Sequence, residues 1–180
     1  MGYPDFSPGD VLAANDMDAV GLWLVKTQTI GSGVSSVTVT DAFSADYDNY
    51  KITVTGGVAS ISVPITLQLG ASATGYYGSF LYCLYTASTP VAAGQNNVSA
   101  FGFAGVGTAN NLYLNIDLTA PFLAKKTGLS GPYLQHSTGA SASGTYGGFH
   151  DSATSYTSFT IATAGATMTG GTIRVYGYRN

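Results

Sequence analysis

The sequence predicts a single all-β domain, and its composition is the first reason. Charged residues make up only 8% of the chain, against about 25% in an ordinary globular domain. All nine acidic residues are aspartate, and there is no glutamate. Because Glu, Lys and Arg populate exposed helix faces, their scarcity argues against helix. The 24 glycines and 13 tyrosines, with abundant Ser and Thr, suit turns and pleated strands instead.

The second reason is a period of two in the apolar residues. From Ile61 to Leu69 every second residue is aliphatic, which is typical of a half-buried strand. Pro64 has no backbone donor, so we expect a sheet edge or a bulge there. Other predicted strands lie within 22–30, 34–40, 50–55, 80–86, 98–104, 111–118, 156–163 and 172–179. By contrast, Gln135–Asp151 is poor in apolar residues and predicts a long loop.

The chain length and the strand count define the expected architecture. A chain of 180 residues can bury a two-layer core as one domain. We therefore expect an antiparallel β-sandwich or jelly roll of about eight to ten strands over residues 23–180. No apolar run has the length of a membrane helix, so membrane insertion is not expected.

Residues 1–22 form a predicted N-terminal arm. Asp10 could cap a short helix over residues 11–20, which is too short to be stable alone in water and must dock. The sequence leaves two docking surfaces for this arm, its own domain and a partner protein. The side chains expected to dock are the apolar residues Phe6, Val11, Leu12, Met17 and Val20.

Candidate metal ligands are few. Asp46 and Asp48 could ligate calcium through oxygen, but the spacing lacks the twelve-residue loop and its closing Glu, and a simple turn is the main interpretation. His136 and His150 with Asp151 could hold a transition metal, although histidines in loops are usually solvated. We expect no metal and no cofactor.

Catalytic and nucleic-acid-binding signals are also missing from the sequence. No Gly-x-Ser-x-Gly turn and no phosphate-binding glycine loop is present, so we expect a protein that is not an enzyme. Apart from Lys125 and Lys126, the basic residues are scattered, which argues against nucleic acid as a partner. Cys83, the only cysteine, lies in an apolar run and predicts a buried structural thiol.

Tyrosines beside Gly, Ser and Asn give the strongest binding signal, because recognition surfaces use this mixture. Alternatively, these tyrosines fill strand faces and subunit seams. The low charge favours burial of surface between subunits. The candidate binding-loop residues are Tyr76, Tyr77, Tyr133, His136, Tyr146 and His150.

Both ends of the chain resemble small virion proteins of tailed bacteriophages. The similar segments are Gly21–Gly33, the phrase at Phe43–Tyr50 that leads into a strand, and the ending Met168–Arg179. Pro8–Met17 resembles the start of tail-fibre-like and minor tail proteins. Residues 58–165 carry no such similarity.

The resemblance implies a jelly-roll or sandwich module, usually a homotrimer, that is attached to capsid or tail proteins by its N-terminal arm. The expected function is that of a tail-fibre, head-fibre or spike module of the virion, assembled in the host cytoplasm, whose loops contact a host-surface glycan or receptor. One alternative is a capsid decoration protein that stabilises the shell. Another is a carbohydrate-processing enzyme, which hydrolysis of host glycans by the isolated protein would establish.

Overall fold

The computed structural model describes residues 21–87, 89–136 and 141–178. These residues contain fourteen β-strands and no helix, so no helix among them could cross a membrane. The strands are β1 (Leu22–Thr29), β2 (Ser36–Val39), β3 (Asn49–Thr55), β4 (Val58–Ala59), β5 (Val63–Leu69), β6 (Tyr76–Leu84), β7 (Val91–Val98), β8 (Phe101–Gly107), β9 (Leu112–Thr119), β10 (Thr127–Gln135), β11 (Ala142–His150), β12 (Phe159–Thr163), β13 (Met168–Thr169) and β14 (Thr172–Tyr178).

Twelve of these strands form one antiparallel sheet that branches at β9. One edge of β9 pairs with β3 along most of its length. Its other edge is shared, since residues 112–114 pair with β8 and residues 117–119 pair with β10. The branching produces a wide layer in the order β1-β14-β3-β9-β10-β11-β6-β7 and a second layer in the order β8-β5-β12-β2. Strands β4 and β13 form a separate two-stranded ribbon.

The core lies between the two layers, as in a β-sandwich. Strand β8 packs across β10, β11, β6 and β7, which places the second layer against the inner face of the wide layer. Alternate side chains of the strands point into this space, and Ile52, Leu67 and Leu114 are almost completely buried there. The predicted all-β sandwich class is therefore confirmed, and the alternation on β5 does mark a core strand.

Pro64 lies beyond the end of one of the two ladders of β5. It pairs with Val106 of β8 in regular register, and the register shifts further along, between Ile65 and Leu67. The pairing of β5 with β12 covers Ile65 to Leu69 and does not include Pro64. The bulge is therefore near Pro64 but not at it, and Pro64 is paired on one side only, which suits a residue without a backbone donor.

Several boundaries differ from the prediction. The structure has fourteen strands rather than eight to ten, and β11 occupies most of Gln135–Asp151, where a loop was predicted. Cys83 lies on β6 but is only half-buried. Leu22, assigned to the arm, begins β1. The predicted arm helix and its docking residues Phe6, Val11, Leu12, Met17 and Val20 lie outside the described residues.

Candidate binding surface

Four of the six predicted binding-loop residues are core residues. Tyr76, Tyr133, Tyr146 and His150 lie on β6, β10 and β11 and are at most 7% exposed. The prediction that they form binding loops is therefore wrong. They occupy inward positions of their strands, where large aromatic rings fill the space between the two layers.

The hydroxyl of each of these tyrosines has a polar partner, and that of Tyr133 donates to Gln135 Oε1 at 2.8 Å. The Tyr76 hydroxyl accepts a hydrogen bond from the Leu69 amide at 2.8 Å and donates to the Ser72 carbonyl at 3.2 Å. The Tyr146 hydroxyl donates to Gln95 Oε1 at 3.0 Å. Burial raises the pKa of Tyr76 to about 12 and raises the pKa of Tyr146 further. These hydroxyls stabilise the fold as neutral hydrogen-bonding groups.

His150 is likewise a structural residue. Its ring stacks on Tyr76 with centroids 4.2 Å apart. Nδ1 lies 3.1 Å from the Gly75 carbonyl, and Nε2 lies 2.7 Å from the Tyr156 hydroxyl. Because a carbonyl only accepts, we assign the proton to Nδ1, and Nε2 then accepts from Tyr156. Both ring nitrogens are used, so His150 has no nitrogen free for a metal.

The other predicted ligands are not brought together. His136 is exposed just after β10, where its carbonyl accepts a hydrogen bond from Thr108 at 2.9 Å. Asp46 accepts from the Ser44 hydroxyl at 2.9 Å, and the Asp48 carbonyl accepts from Ala120. Among the described residues no three His, Cys, Asp or Glu side chains are grouped so that they could hold a metal. The weak calcium candidate at Asp46 and Asp48 stays a prediction.

Residues 43–50 form a tight corner that leads the chain into β3. The Tyr50 hydroxyl accepts from the Ser44 amide at 2.8 Å and donates to the Ser44 carbonyl at 3.0 Å, which fixes the chain as it enters β3. Phe43 packs edge-on against Tyr50 with centroids 4.9 Å apart. Tyr47 lies against Gly177, and a Cβ at Gly177 would overlap the Tyr47 ring. The corner therefore joins β3 to β14.

One exposed apolar surface lies where the predicted arm enters the sheet. Leu22 pairs with Tyr178 and Leu24 pairs with Tyr176, so all four side chains share the outer face of the wide layer. We call these four residues the β1 patch. Leu22 and Leu24 are 45% and 56% exposed.

A polar border limits the β1 patch on one side. The Tyr178 hydroxyl donates a hydrogen bond to Asp117 Oδ1, and Lys51 Nζ lies 3.5 Å from the same oxygen. Desolvation and the neighbouring Asp117 carboxylate raise the pKa of Tyr178 to about 12. The exposed leucines thus lie at the outer edge of the wide layer. The strands further in carry the charges of Lys51 and Asp117, which are paired with each other.

A second exposed surface lies at the opposite edge of the same layer. Tyr77 and Phe149 are cross-strand neighbours, and their rings stack with centroids 5.0 Å apart and planes 11° apart. Lys126 Nζ lies 5.9 Å from the Phe149 centroid and forms an ion pair with Asp151. Sequence reasoning selected Tyr77 but missed Phe149, although aromatic residues beside paired glycines were a signal for it.

A cavity of about 330 Å³ adjoins this aromatic stack. It is mainly polar, and the Gly75 carbonyl and the His150 ring form part of its wall. We call it the Asn97 cavity. Its remaining lining residues are Ser72, Thr74, Tyr77, Asn97, Asp151 and Ser152.

Comparisons with known proteins assign no family. No family model matches the chain, and no curated protein matches it. One solved structure, of infectious bursal disease virus Gx strain, aligns at 15% identity over the whole of this chain and 46% of that chain, with a TM-score of 0.12. This chain thus spans about half the length of that one, and a likeness at this level carries no argument about fold or function.

Proposed function

We propose that the chain is a structural module of a bacteriophage particle. In this proposal it forms a homotrimer, docks on capsid or tail proteins through residues 1–22, and directs the opposite end of its wide layer toward the host surface. The observation that carries the proposal is the β1 patch, an exposed apolar surface at the point where the arm enters the sheet.

The β1 patch supports docking because it combines apolar side chains with a free sheet edge. Among the described residues β1 pairs only with β14, so its other edge leaves backbone groups for another chain. Proteins commonly protect such edges with charge, and Lys26 is the only charged residue on β1. Lys26 and the register shift between Leu24 and Lys26 protect the middle of this edge, whereas Leu22 and Leu24 stay exposed at its start, and an exposed apolar cluster marks an interaction surface.

The three segments that resemble virion proteins are adjacent in the structure, which also supports the proposal. They contribute β1, the corner before β3, and β14, and these strands are neighbours in the order β1-β14-β3. The similarity therefore follows one continuous piece of the sheet. That piece carries the β1 patch on its outer face.

The charge distribution supports self-association. The described residues include ten charged side chains, and three ion pairs use six of them, namely those of Lys26 with Asp41, Lys51 with Asp117 and Lys126 with Asp151. Paired charges contribute little long-range repulsion between copies. We expect the chain to associate at low concentration for this reason.

The test measures the native mass of the full chain and of two variants. Light scattering after gel filtration should give three times 18.4 kDa for the full chain. Replacing Leu22 and Leu24 together with Ser should shift the mass toward the monomer, while Ile61→Ser, at an equally exposed aliphatic residue outside the wide layer, should leave it unchanged. A monomeric full chain at micromolar concentration would refute the oligomer.

The docking arm requires a separate experiment. Deletion of residues 1–20 should prevent the chain from joining particles while its circular dichroism stays that of a β-protein. Incorporation of the truncated chain would contradict docking through the arm. A label on the full chain, imaged on the particle, separates a fibre or tail position from a decoration position on the shell.

A further inference from the structure

The Asn97 cavity is built around a bulge in the edge strand β7. Tyr76 pairs with Val98 and Gly78 pairs with Gln95, so Asn96 and Asn97 together oppose one residue of β6. Bulges re-aim side chains and are common beside functional sites. Asn97 has φ 52°, a left-handed conformation that Asn adopts more readily than most residues other than Gly. The bulge and this conformation together direct the Asn97 side chain toward Gly75.

The side-chain amide of Asn97 is hydrogen-bonded through its oxygen atom. Its Oδ1 accepts a hydrogen bond from the Gly75 amide at 2.9 Å, which fixes the side chain in the wall of the cavity. Within the described part of the chain no hydrogen bond uses Asn97 Nδ2, the Tyr77 hydroxyl or the Thr74 hydroxyl. Asn97 and Thr74 are exposed, so these groups are hydrated in the free protein and can exchange water for the hydroxyl groups of a ligand.

The Tyr77 ring supplies the apolar side of the same site. Tyr77 lines the cavity, and stacking on Phe149, which lies outside the lining, holds its ring in place. The faces of aromatic rings are weakly negative, so they attract the weakly positive C–H groups on the apolar face of a sugar ring. An aromatic face beside an amide and a carboxylate matches the two sides of a pyranose, one apolar and one covered with hydroxyls.

The charges in the cavity argue against other small ligands. Asp151 is the carboxylate of the site and is already neutralised by Lys126, so neither an anion nor a cation is favoured. A purely apolar ligand would leave the polar lining desolvated and unpaired, which is costly. The volume of about 330 Å³ lies at the lower end of ligand sites. A neutral, hydroxyl-rich ligand of one ring fits these limits.

We infer that the Asn97 cavity and the Tyr77 ring in its wall form one carbohydrate-binding site that holds a single neutral pyranose unit of a surface glycan. The inference deepens the proposed function, because it gives the contact with the host surface a ligand class and a location, and it rests on that proposal for its biological role. Sugar binding itself is a property of the folded chain. It is measurable without any particle.

The test uses saturation-transfer NMR of the full chain with methyl glycosides of glucose, galactose, mannose and N-acetylglucosamine. At least one should bind with a dissociation constant on the order of 1 mM, which is typical of a weak single-ring contact. Sorbitol, which has hydroxyls but no ring, should give no signal. Absence of binding by all four glycosides at about ten times that concentration would overturn the inference.

Matched variants locate the binding. Asn97→Asp keeps an oxygen for the Gly75 amide but replaces the amide donor with a carboxylate, which brings a second negative charge beside Asp151. Tyr77→Leu keeps an apolar side chain at the cavity but removes the flat ring. Each should weaken binding by about tenfold or more. Tyr85→Leu, at an exposed tyrosine outside the cavity, should leave it unchanged. Binding that survives both site variants would place the sugar elsewhere and refute this site.

A third variant distinguishes loss of sugar binding from loss of folding. Tyr77→Phe removes one hydroxyl and keeps the stack, so it should retain the thermal transition of the parent and bind more weakly. The outcomes also separate the two proposals. Sugar binding by a chain that is monomeric would reject the oligomer but keep the site, whereas a trimer without sugar binding would reject the site alone.

Discussion

Alkaline pH should destabilise this protein through its buried tyrosines. Tyr76 and Tyr133 lie in the core, and desolvation raises the pKa of each to about 12. Tyr146 has its pKa raised in the same direction and for the same main reason. In the unfolded chain these side chains ionise near pH 10. The folded state therefore holds protons that the unfolded state releases.

This difference in ionisation determines how stability changes with pH and over which pH range it changes. Below about pH 10 both states are protonated, and the full stability is present. Above it the free energy of unfolding falls, until the folded-state pKa near 12 is passed. Each fully shifted tyrosine contributes a slope of at most about 1.4 kcal/mol per pH unit. Because each tyrosine of the unfolded chain is only half ionised at pH 10, Tyr76 and Tyr133 together should remove about 2 kcal/mol between pH 10 and 11, a large share of the roughly 5–15 kcal/mol typical of a domain.

Urea unfolding followed by circular dichroism from pH 8 to 11.5, with Cys83 kept reduced, measures this slope. Tyr76→Phe lowers the stability at pH 8 because it removes two hydrogen bonds, but it should make the alkaline decline shallower by about 1 kcal/mol per pH unit. Tyr85→Phe alters a ring that is already 65% exposed and should keep the parent slope. A parent slope that is flat up to pH 11.5, or unchanged in Tyr76→Phe, would refute the reasoning.

Two further predictions concern the corner at β3. Gly177→Ala should lower the free energy of unfolding by about 1–3 kcal/mol, because the new Cβ overlaps Tyr47; Gly147→Ala, whose Cβ has room, is the control, and equal urea midpoints for the two variants would argue against the overlap. Tyr50→Phe should cost about 1–2 kcal/mol, since both hydrogen bonds to Ser44 are lost. An unchanged melting temperature for Tyr50→Phe would show that the corner does not depend on them.

The fold class could be read from the sequence because the aliphatic strands display their period directly. On β5 and β9 every inward position is aliphatic. The alternation of these residues with others can be recognised without knowing which strands pair with β5 and β9. The composition gave the same class independently. Where two signals of this kind agree, local preference and burial point to one structure.

Strand β11 was missed because its inward positions alternate between large residues and glycine. Tyr146 and His150 point inward and are four residues apart, and Gly148 lies between them on the same face. Where a Cβ at Gly148 would stand, the Tyr77 carbonyl of β6 already lies. The glycine is therefore required by a neighbour on another strand, whereas the sequence alone presents it as a loop residue.

The candidate site depends on pairings that no local pattern encodes. Gly75, Asn97 and Asp151 meet because the Gly75 amide donates to Asn97 Oδ1 and the Asp151 amide donates to the Gly75 carbonyl. They are separated by more than twenty residues in each case. Sequence reasoning found one member, Tyr77, by its residue type. It assigned Tyr76 to the same surface, although adjacent residues of a strand face opposite sides.

The β1 patch and the Asn97 cavity lie toward opposite ends of the wide layer. Strands β1 and β7 are the two ends of the same eight-stranded layer, and a strand spacing near 4.8 Å puts them about 30 Å apart. A partner bound at the β1 patch would therefore leave the Asn97 cavity open to solvent. Mutations at the two ends should then combine additively, as expected of sites without shared partners, and loss of sugar binding in the Leu22 and Leu24 double variant would contradict this separation.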